Sequence, residues 1–188
     1  MFGQSRRTIL ASIATGAAAS LLPRAASATL FRGMPLSELV GRSQHALIGT
    51  ALSARCLYLT IGQRRLLVTE TLLRVEGVLG LDAPSENELS VRTLGGQLDG
   101  SGEIVDGQAV FVRDQRCVGF LERAPDGACW VTGMAQGHYP LDAAEPALVL
   151  RASPGLPQIV DWEASAVKRL VGTRLSEAEA LVAKLSSR

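Results

Sequence analysis

Histidine and cysteine are scarce in this sequence, and their spacing excludes the common metal sites. The chain has two histidines, His45 and His138, and three cysteines, Cys56, Cys117 and Cys129. No two of them form the C-x-x-C or H-x-x-x-H clusters that bind zinc. A Gly-x-Ser-x-Gly elbow and a Cys-Gly nucleophile signature are also missing, which leaves a hydrolase without a supporting motif. We therefore expect no metal and no cofactor, and we favour a protein that is not an enzyme.

The N-terminal segment has the pattern of an export signal. Arg6 and Arg7 precede an uncharged, apolar stretch from 9 to 22, which is about as long as a secretory hydrophobic region. Ala26 and Ala28 place small residues at the two positions that a signal peptidase reads, so we predict cleavage after Ala28. Twin arginines before an Ala-rich core are typical of substrates of the twin-arginine translocase, which carries folded proteins across the bacterial inner membrane. The general secretory route and an uncleaved amphipathic anchor are the alternatives.

The predicted mature chain lacks long runs of basic residues. Removing residues 1–28 takes away three arginines and no acids, which leaves 16 basic against 18 acidic side chains. No basic run is then longer than Arg64-Arg65. This balance argues against a nucleic-acid-binding protein and against polybasic attachment to lipid. No second apolar run reaches the length of a membrane span, so we expect a periplasmic or secreted protein without a stable membrane anchor.

The three cysteines leave two possibilities in a compartment that permits disulfides. An odd count allows at most one bridge within the chain and leaves one thiol free. Cys117 and Cys129 lie on either side of the turn 124–127, but a pairing of residues 124 and 127 would place Cys129 opposite Glu122. A bridge would then need a shifted register. We favour the alternative, in which Cys56, Cys117 and Cys129 are small, half-buried hydrophobic residues.

Alternating hydrophobic residues predict an antiparallel, mainly β domain that is preceded by a short helix over 35–40. The second long strand carries a break in this alternation near Glu70-Thr71, which predicts a bulge or bend there. Long strands that change their buried side are typical of small closed or partly closed barrels. The predicted strands cover residues 44–59, 65–79, 88–93, 108–112, 117–122, 128–134 and 147–151.

Helix-forming residues dominate the end of the chain after Pro154 and Pro157. Residues 162–171 have the apolar spacing of one helix, and Ser176 with Glu179 form a capping box that predicts the start of another. The two helices form either a hairpin that docks on the sheet or a loosely attached tail. We therefore predict three parts, which are a signal peptide over 1–28, a β-barrel domain over 29–154 and a C-terminal helical extension over 155–188.

The glycine-rich segment 94–103 lacks the features of a phosphate-binding loop. It has no Lys-Ser/Thr after the glycines and no third glycine of a dinucleotide fingerprint, and it lies between strands. A turn that needs positive φ angles is the better interpretation. The acidic residues Asp99, Glu103 and Asp106 do not have the spacing of a calcium-binding loop, which favours a solvated acidic turn.

Two blocks of sequence resemble an uncharacterised family of bacterial exported proteins. Residues 91–96 match an R-T-x-G-G strand end, and residues 131–140 match a closing G-x-x-Q-G-x-[FY] segment. The similarity covers about residues 31–151. It implies a small OB-like β-barrel, similar in outline to the netrin and metalloproteinase-inhibitor modules, and it implies no established activity.

The two blocks, together with Gln97 directly after the first, supply the candidate residues for binding a ligand or partner. They are Arg92, Gly95, Gly96, Gln97, Gln136, Gly137, His138 and Tyr139. Our first hypothesis is a non-enzymatic periplasmic module that binds a protein partner or small ligand near these two segments. The alternative is a periplasmic hydrolase or transferase that uses His138 with Gln136 or Tyr139, although a structural role for His138 is favoured.

The export hypothesis makes a direct prediction. Replacing both Arg6 and Arg7 by Lys should leave the uncleaved precursor in the cytoplasm, because the translocase reads the arginine pair as an address. Cell fractionation followed by immunoblotting measures the distribution of the two forms. Normal amounts of mature protein outside the cytoplasm would show that the chain uses another route.

Overall fold

The structure, a computed structural model, describes residues 30–142 and 147–187 and is mainly β, as the sequence predicts. The predicted signal peptide, with Arg6, Arg7, Ala26 and Ala28, lies outside the described residues. The strands are β1 (Phe31–Arg32), β2 (His45–Ile61), β3 (Arg64–Val78), β4 (Glu88–Leu94), β5 (Gly96–Leu98), β6 (Ser101–Glu103), β7 (Arg116–Arg123), β8 (Cys129–Val131), β9 (His138–Asp142), β10 (Val149–Leu150) and β11 (Ile159–Val160). The helices are α1 (Leu36–Arg42), α2 (Ala166–Leu170) and α3 (Leu175–Ser186), with 3-10 turns at Met134–Gly137 and Trp162–Ala164.

One sheet of seven strands organises the described residues, in the order β10-β9-β7-β2-β3-β4-β8. Its neighbouring strands are antiparallel, as predicted, except that β8 runs parallel to β4. Strand β8 also pairs with β7, so the pairings through β2, β3, β4, β8 and β7 return to the strand where they began. Two smaller ribbons join β1 to β11 and β5 to β6.

The bulge or bend predicted near Glu70-Thr71 is displaced, because β3 pairs regularly with β4 at these residues and the nearest bulge lies in the neighbouring strand β2. An extra residue sits in β2 between Ala51 and Ser53, and a second register shift, opposite residues 48 and 49 of β2, leaves Glu76 of β3 as the extra residue. In β3 both faces are buried at this level. Thr71 pairs with Val91 of the core, whereas Glu70 pairs with Arg92 on the opposite face. Because side chains on both faces of β3 are buried here, hydrophobic residues occur at both odd and even positions. The sequence therefore suggested that the strand changes its buried side.

Two other predicted strands differ from the structure. Residues 108–112 alternate between more buried and more exposed side chains, as a strand would, but their backbone pairs with no described strand. The strand predicted over 128–134 ends at Val131 and is followed by the 3-10 turn. The sequence also missed β9, which begins directly after Gly137, where an added Cβ would collide with the carbonyl oxygen of Thr132.

The predicted register of the β7–β8 hairpin is also corrected. Ala124 donates its N–H to the carbonyl of Ala128, so the loop is one residue longer than expected. Cys129 therefore lies opposite Arg123 and not Glu122. All three cysteines are free, and Cys117 and Cys129 are buried, as the favoured interpretation expected.

Two apolar cores lie on opposite faces of the sheet, because neighbouring residues of a strand point to opposite sides. One core packs the three helices against the face of β2, β7 and β9, and it includes Leu36, Leu39, Ala46, Phe120, Tyr139, Leu170, Ala178 and Val182. The other core includes Leu47, Ala51, Leu73, Leu89, Val91, Leu121, Cys129 and Val131. The C-terminal helices are thus docked and not a loose tail. Among the described residues, no helix combines the length and apolar composition needed to cross a bilayer.

The helical end differs locally from its predicted boundaries. The helix predicted over 162–171 is divided, and Ser165 caps α2 by accepting the N–H of Lys168 at 3.1 Å. Helix α3 begins at Leu175 with Arg174 at its N-cap, so Ser176 lies inside the helix and the predicted capping box is wrong. The helix starts earlier because the segment before it is held by the sheet, where Leu175 donates its N–H to the carbonyl of Leu148 at 2.8 Å.

Two glycines test how closely α3 docks. Gly80 and Gly62 have similar φ angles of 64° and 62°, but a Cβ on Gly80 would lie 2.8 Å from Cα of Ala183, whereas Gly62 has open space. Gly62→Ala should therefore cost only the backbone strain, about 1 kcal/mol. Gly80→Ala should cost about 1–3 kcal/mol more, because the methyl group overpacks against α3. Urea unfolding of the predicted mature chain measures both values, and equal costs would contradict close docking of α3.

Candidate functional site

A cavity of about 430 Å³ lies where β4, β8 and the 3-10 turn at Met134–Gly137 meet the segment before α1. We call it the seam cavity. The sequence blocks 91–96 and 131–140, which we call the two glycine-rich blocks, both contribute to it. Arg92 and Leu94 come from the first, and Met134 and Gln136 come from the second. The parallel register of β4 and β8 brings the blocks together by placing Arg92 beside Trp130. Its volume is within the range of small-molecule sites in proteins.

A row of charged side chains crosses the sheet beside this cavity. Arg55, Glu70 and Arg92 are direct neighbours on β2, β3 and β4. Arg55 donates from Nη2 to Oε1 of Glu70 at 2.5 Å, and Arg92 donates from Nε to Oε2 of Glu70 at 3.0 Å. Arg92 also donates from Nη1 to Oδ2 of Asp126 at 2.5 Å. The side chains of Arg92 and Glu70 are only 12% and 10% exposed, so the charge-assisted bond between them lies largely out of solvent, whereas Arg55 and Asp126 at the two ends of the row are exposed.

The row keeps its members ionised. Burial alone raises the pKa of Glu70, but hydrogen bonds from Arg55 and Arg92 outweigh it, and the net pKa is lowered. Burial likewise acts to lower the pKa of Arg92, whereas the carboxylates of Asp126 and Glu70 raise it, with a net increase. Arg92 is therefore a charged wall of the cavity whose Nε and Nη1 donors are already engaged.

Gln136 has a positioning role in the cavity wall. Its Oε1 accepts the backbone N–H of Met34 at 2.8 Å, and its Nε2 donates to the carbonyl of Arg32 at 3.0 Å. These two bonds join the 3-10 turn to the end of β1 and to the segment before α1. Gln136 thus holds Met34 against the cavity, and both ends of its amide group are occupied.

His138 and Tyr139 do not line the seam cavity, because they belong to the buried part of β9. Tyr139 is fully buried in the core under the helices, and its hydroxyl donates to the carbonyl of Gln136 at 2.6 Å. His138 is 1% exposed, its Nδ1 lies 2.9 Å from Oγ of Ser153, and its ring packs 4.4 Å from that of Phe111. Burial lowers the pKa of His138 to about 4, so the imidazole is neutral at neutral pH.

The predicted glycines shape the backbone at separate places. Gly95 and Gly96 have φ angles of 87° and 140°, and a Cβ on Gly96 would lie 2.6 Å from the side chains of Cys56 and Thr69. Gly137 approaches the carbonyl of Thr132 closely. The turn 99–100 joins β5 to β6 with two positive φ angles, as expected, and leaves Gln97 exposed on that ribbon.

The structure therefore brings Arg92 and Gln136 to one cavity and leaves Gln97 and His138 outside it. The sequence missed the aromatic and thioether walls that Phe31, Met34, Trp130 and Met134 provide. Trp130 was the detectable signal, because it is a large aromatic residue on the less buried side of a strand whose neighbours 129 and 131 are buried. In the part of the chain that the structure describes, no group of three His, Cys, Asp or Glu residues is arranged to hold a metal ion.

The burial of His138 makes stability depend on pH. The unfolded chain binds a proton near pH 6.5, whereas the folded chain does so only near pH 4, so stability is full above 6.5 and falls as pH decreases towards 4. His138 should contribute a loss of about 3 kcal/mol in wild type. His138→Asn should reduce the slope by this amount and leave only the part that carboxylates with lowered pKa, such as Glu70, contribute, whereas His45→Asn should keep the His138 part. Urea unfolding between pH 4 and pH 7 measures the slopes, and an unchanged slope in His138→Asn would refute the assignment.

Comparison with known proteins adds no relative from which a role could be transferred. No family model, no curated protein and no solved structure matches this chain. The resemblance to the exported family therefore stays a prediction, and the functional conclusion depends on the geometry of the seam cavity.

Proposed function

We propose that this protein is a non-enzymatic binding module whose seam cavity holds a small ligand or a projecting group of a protein partner. The observation that carries the proposal is the meeting of two distant glycine-rich blocks at one concave site. That site combines aromatic and thioether surfaces, such as Trp130 and Met134, with the charged groups of Arg92 and Arg42. Such a mixture of apolar walls and a few polar groups is typical of binding sites.

The strand pairings support an OB-like barrel as the framework of this module. Strands β2, β3, β4, β8 and β7 form a ring of pairings, and five strands are the size of the OB barrel. OB folds bind through their second and third strands and the loop between the fourth and fifth. In this ring those parts are β3, β4 and the loop 124–128. Glu70, Arg92 and Asp126 lie on them beside the seam cavity.

We also propose that the chain is exported and that it belongs to the family that it resembles. The arginine pair and the small residues at 26 and 28 support removal of the N-terminal segment by a signal peptidase. The first described strand, β1, starts at Phe31, so cleavage after Ala28 would leave every described element intact. The periplasm is then where a ligand or partner is met, and the twin-arginine translocase is an interaction partner during export.

Binding is favoured over catalysis because the two predicted site residues that line the cavity, Arg92 and Gln136, are engaged in holding the fold. Arg92 is bonded to two carboxylates, and Gln136 is bonded to two backbone groups. The one histidine of the second block, His138, is buried beside Ser153 and away from the cavity. A general base must reach the proton that it abstracts, and nothing in this geometry favours that role for His138.

Two tryptophans provide a matched test. Titrating the isotope-labelled mature chain with size-fractionated periplasmic extract should shift the NMR signals of Trp130 and Met134 more than those of Trp162. Trp130→Ala should weaken this binding about 30-fold, as expected for an aromatic hot spot worth about 2 kcal/mol. Trp162→Ala, which alters a partly exposed tryptophan outside the cavity, should leave binding unchanged. Binding that maps elsewhere, or no binding in any fraction, would overturn the proposal.

A further inference from the structure

We infer that the seam cavity selects an apolar or aromatic molecule that carries one carboxylate, and that Arg42 recognises the carboxylate. The inference rests on the proposed binding function and specifies the chemical class of its ligand. It follows from a difference between the two arginines that line the cavity, because the guanidinium of Arg92 is hydrogen-bonded to carboxylates and that of Arg42 is not.

Arg42 is the guanidinium whose donors are not committed to a close partner. It ends α1, and its side chain is 49% exposed. Its Nη1 lies 3.8 Å from Oε1 of Glu38, and its Nη2 lies 3.9 Å from Oε2 of Glu122. Both distances exceed that of a hydrogen bond, and exposed ion pairs of this kind contribute little to stability. A guanidinium presents five N–H donors in a planar fork that matches a carboxylate.

Arg92 differs because two carboxylates already hold it. Its Nε and Nη1 are bonded to Glu70 and Asp126, and its side chain is 12% exposed. Glu122 is the one carboxylate among the cavity-lining residues, and its nearest cation is Arg42. A ligand carboxylate that binds Arg42 through two short, charge-assisted bonds would therefore replace a long contact with Glu122.

The other walls specify the body of the ligand. Phe31 and Trp130 offer aromatic surfaces, and Met34 and Met134 offer adaptable thioethers that pack well against rings. The thioether of Met34 packs closely on the backbone of Gly133, since a Cβ added to Gly133 would lie 3.1 Å from both Sδ and Cε of Met34. A cavity of about 430 Å³ suits a molecule with one fused ring system. Together, these walls favour a flat apolar body with its charge directed at α1.

Two probes with the same ring system test the inference in the mature chain. 1-Naphthoate carries a carboxylate, and 1-naphthalenemethanol is its neutral counterpart. The indole N–H signal of Trp130 reports binding, with Trp162 as the internal control. Naphthoate should bind about tenfold more tightly, since a charge-assisted pair is worth about 1.4 kcal/mol or more. Arg42→Gln should reduce its affinity to that of the alcohol and leave the alcohol unchanged. Arg169→Gln, an exposed helix arginine outside the cavity, should change neither affinity.

A second variant moves the affinity in the opposite direction. Glu122→Gln removes the carboxylate that faces Arg42, so it should strengthen naphthoate binding several-fold, by about 0.5–1 kcal/mol. Thermal unfolding of each variant confirms that it is folded. Equal affinities for the two probes, or naphthoate binding that Arg42→Gln does not change, would overturn the carboxylate assignment and leave the proposed cavity intact. Failure of both probes to shift Trp130 would overturn the carboxylate assignment and also count against a small-ligand site.

Discussion

The location of the seam cavity depends on strand β8, which is three residues long and paired along both edges. Its pairing with β7 follows from a short loop, whereas its parallel pairing with β4 joins segments that are far apart in the chain. A strand with partners on both sides has its backbone donors and acceptors satisfied by the sheet, so its position is closely fixed. That position sets Trp130 beside Arg92 and carries the following 3-10 turn, with Gln136, to the segment before α1.

The charged row of Arg55, Glu70, Arg92 and Asp126 adds a second constraint at the same place. Removing charges from water is costly, and short hydrogen bonds offset that cost only when each partner is present. The row therefore gives little net stability but strongly disfavours any arrangement that separates its members. It also explains why the two arginines of the cavity differ. Arg92 is held inside the row as part of the wall, whereas Arg42 stands at the end of a helix with long contacts only.

The helices fix the role of the part of the sheet that they cover. Helices α1, α2 and α3 cover the face of β2, β7 and β9, so Tyr139 lies in a core and its hydroxyl must bond within the protein. Ser153 supplies the partner that the nearly buried His138 needs. His138, the histidine that the sequence offered as a candidate site residue, thus serves packing and internal hydrogen bonding. Strands β3 and β4 carry the charged row on the face that points away from the core around Leu73 and Val91, beside the seam cavity, and that is where we place binding.

The sequence by itself determined the mainly β content, the long β2–β3 hairpin, the helix α1, the two helices at the end and the turn 99–100. Each depends on side-chain periodicity or turn chemistry within a short window. Tertiary structure decided the bulge in β2, the unpaired run 108–112, the register of Cys129 and the separation of His138 from the cavity. It also decided which residues of each block reach the site, so that Arg92 and Gln136 line one cavity whereas Gln97, directly after the first block, does not. Those features depend on which distant strands become neighbours, and the free energy of such pairings is spread over contacts that no local pattern records.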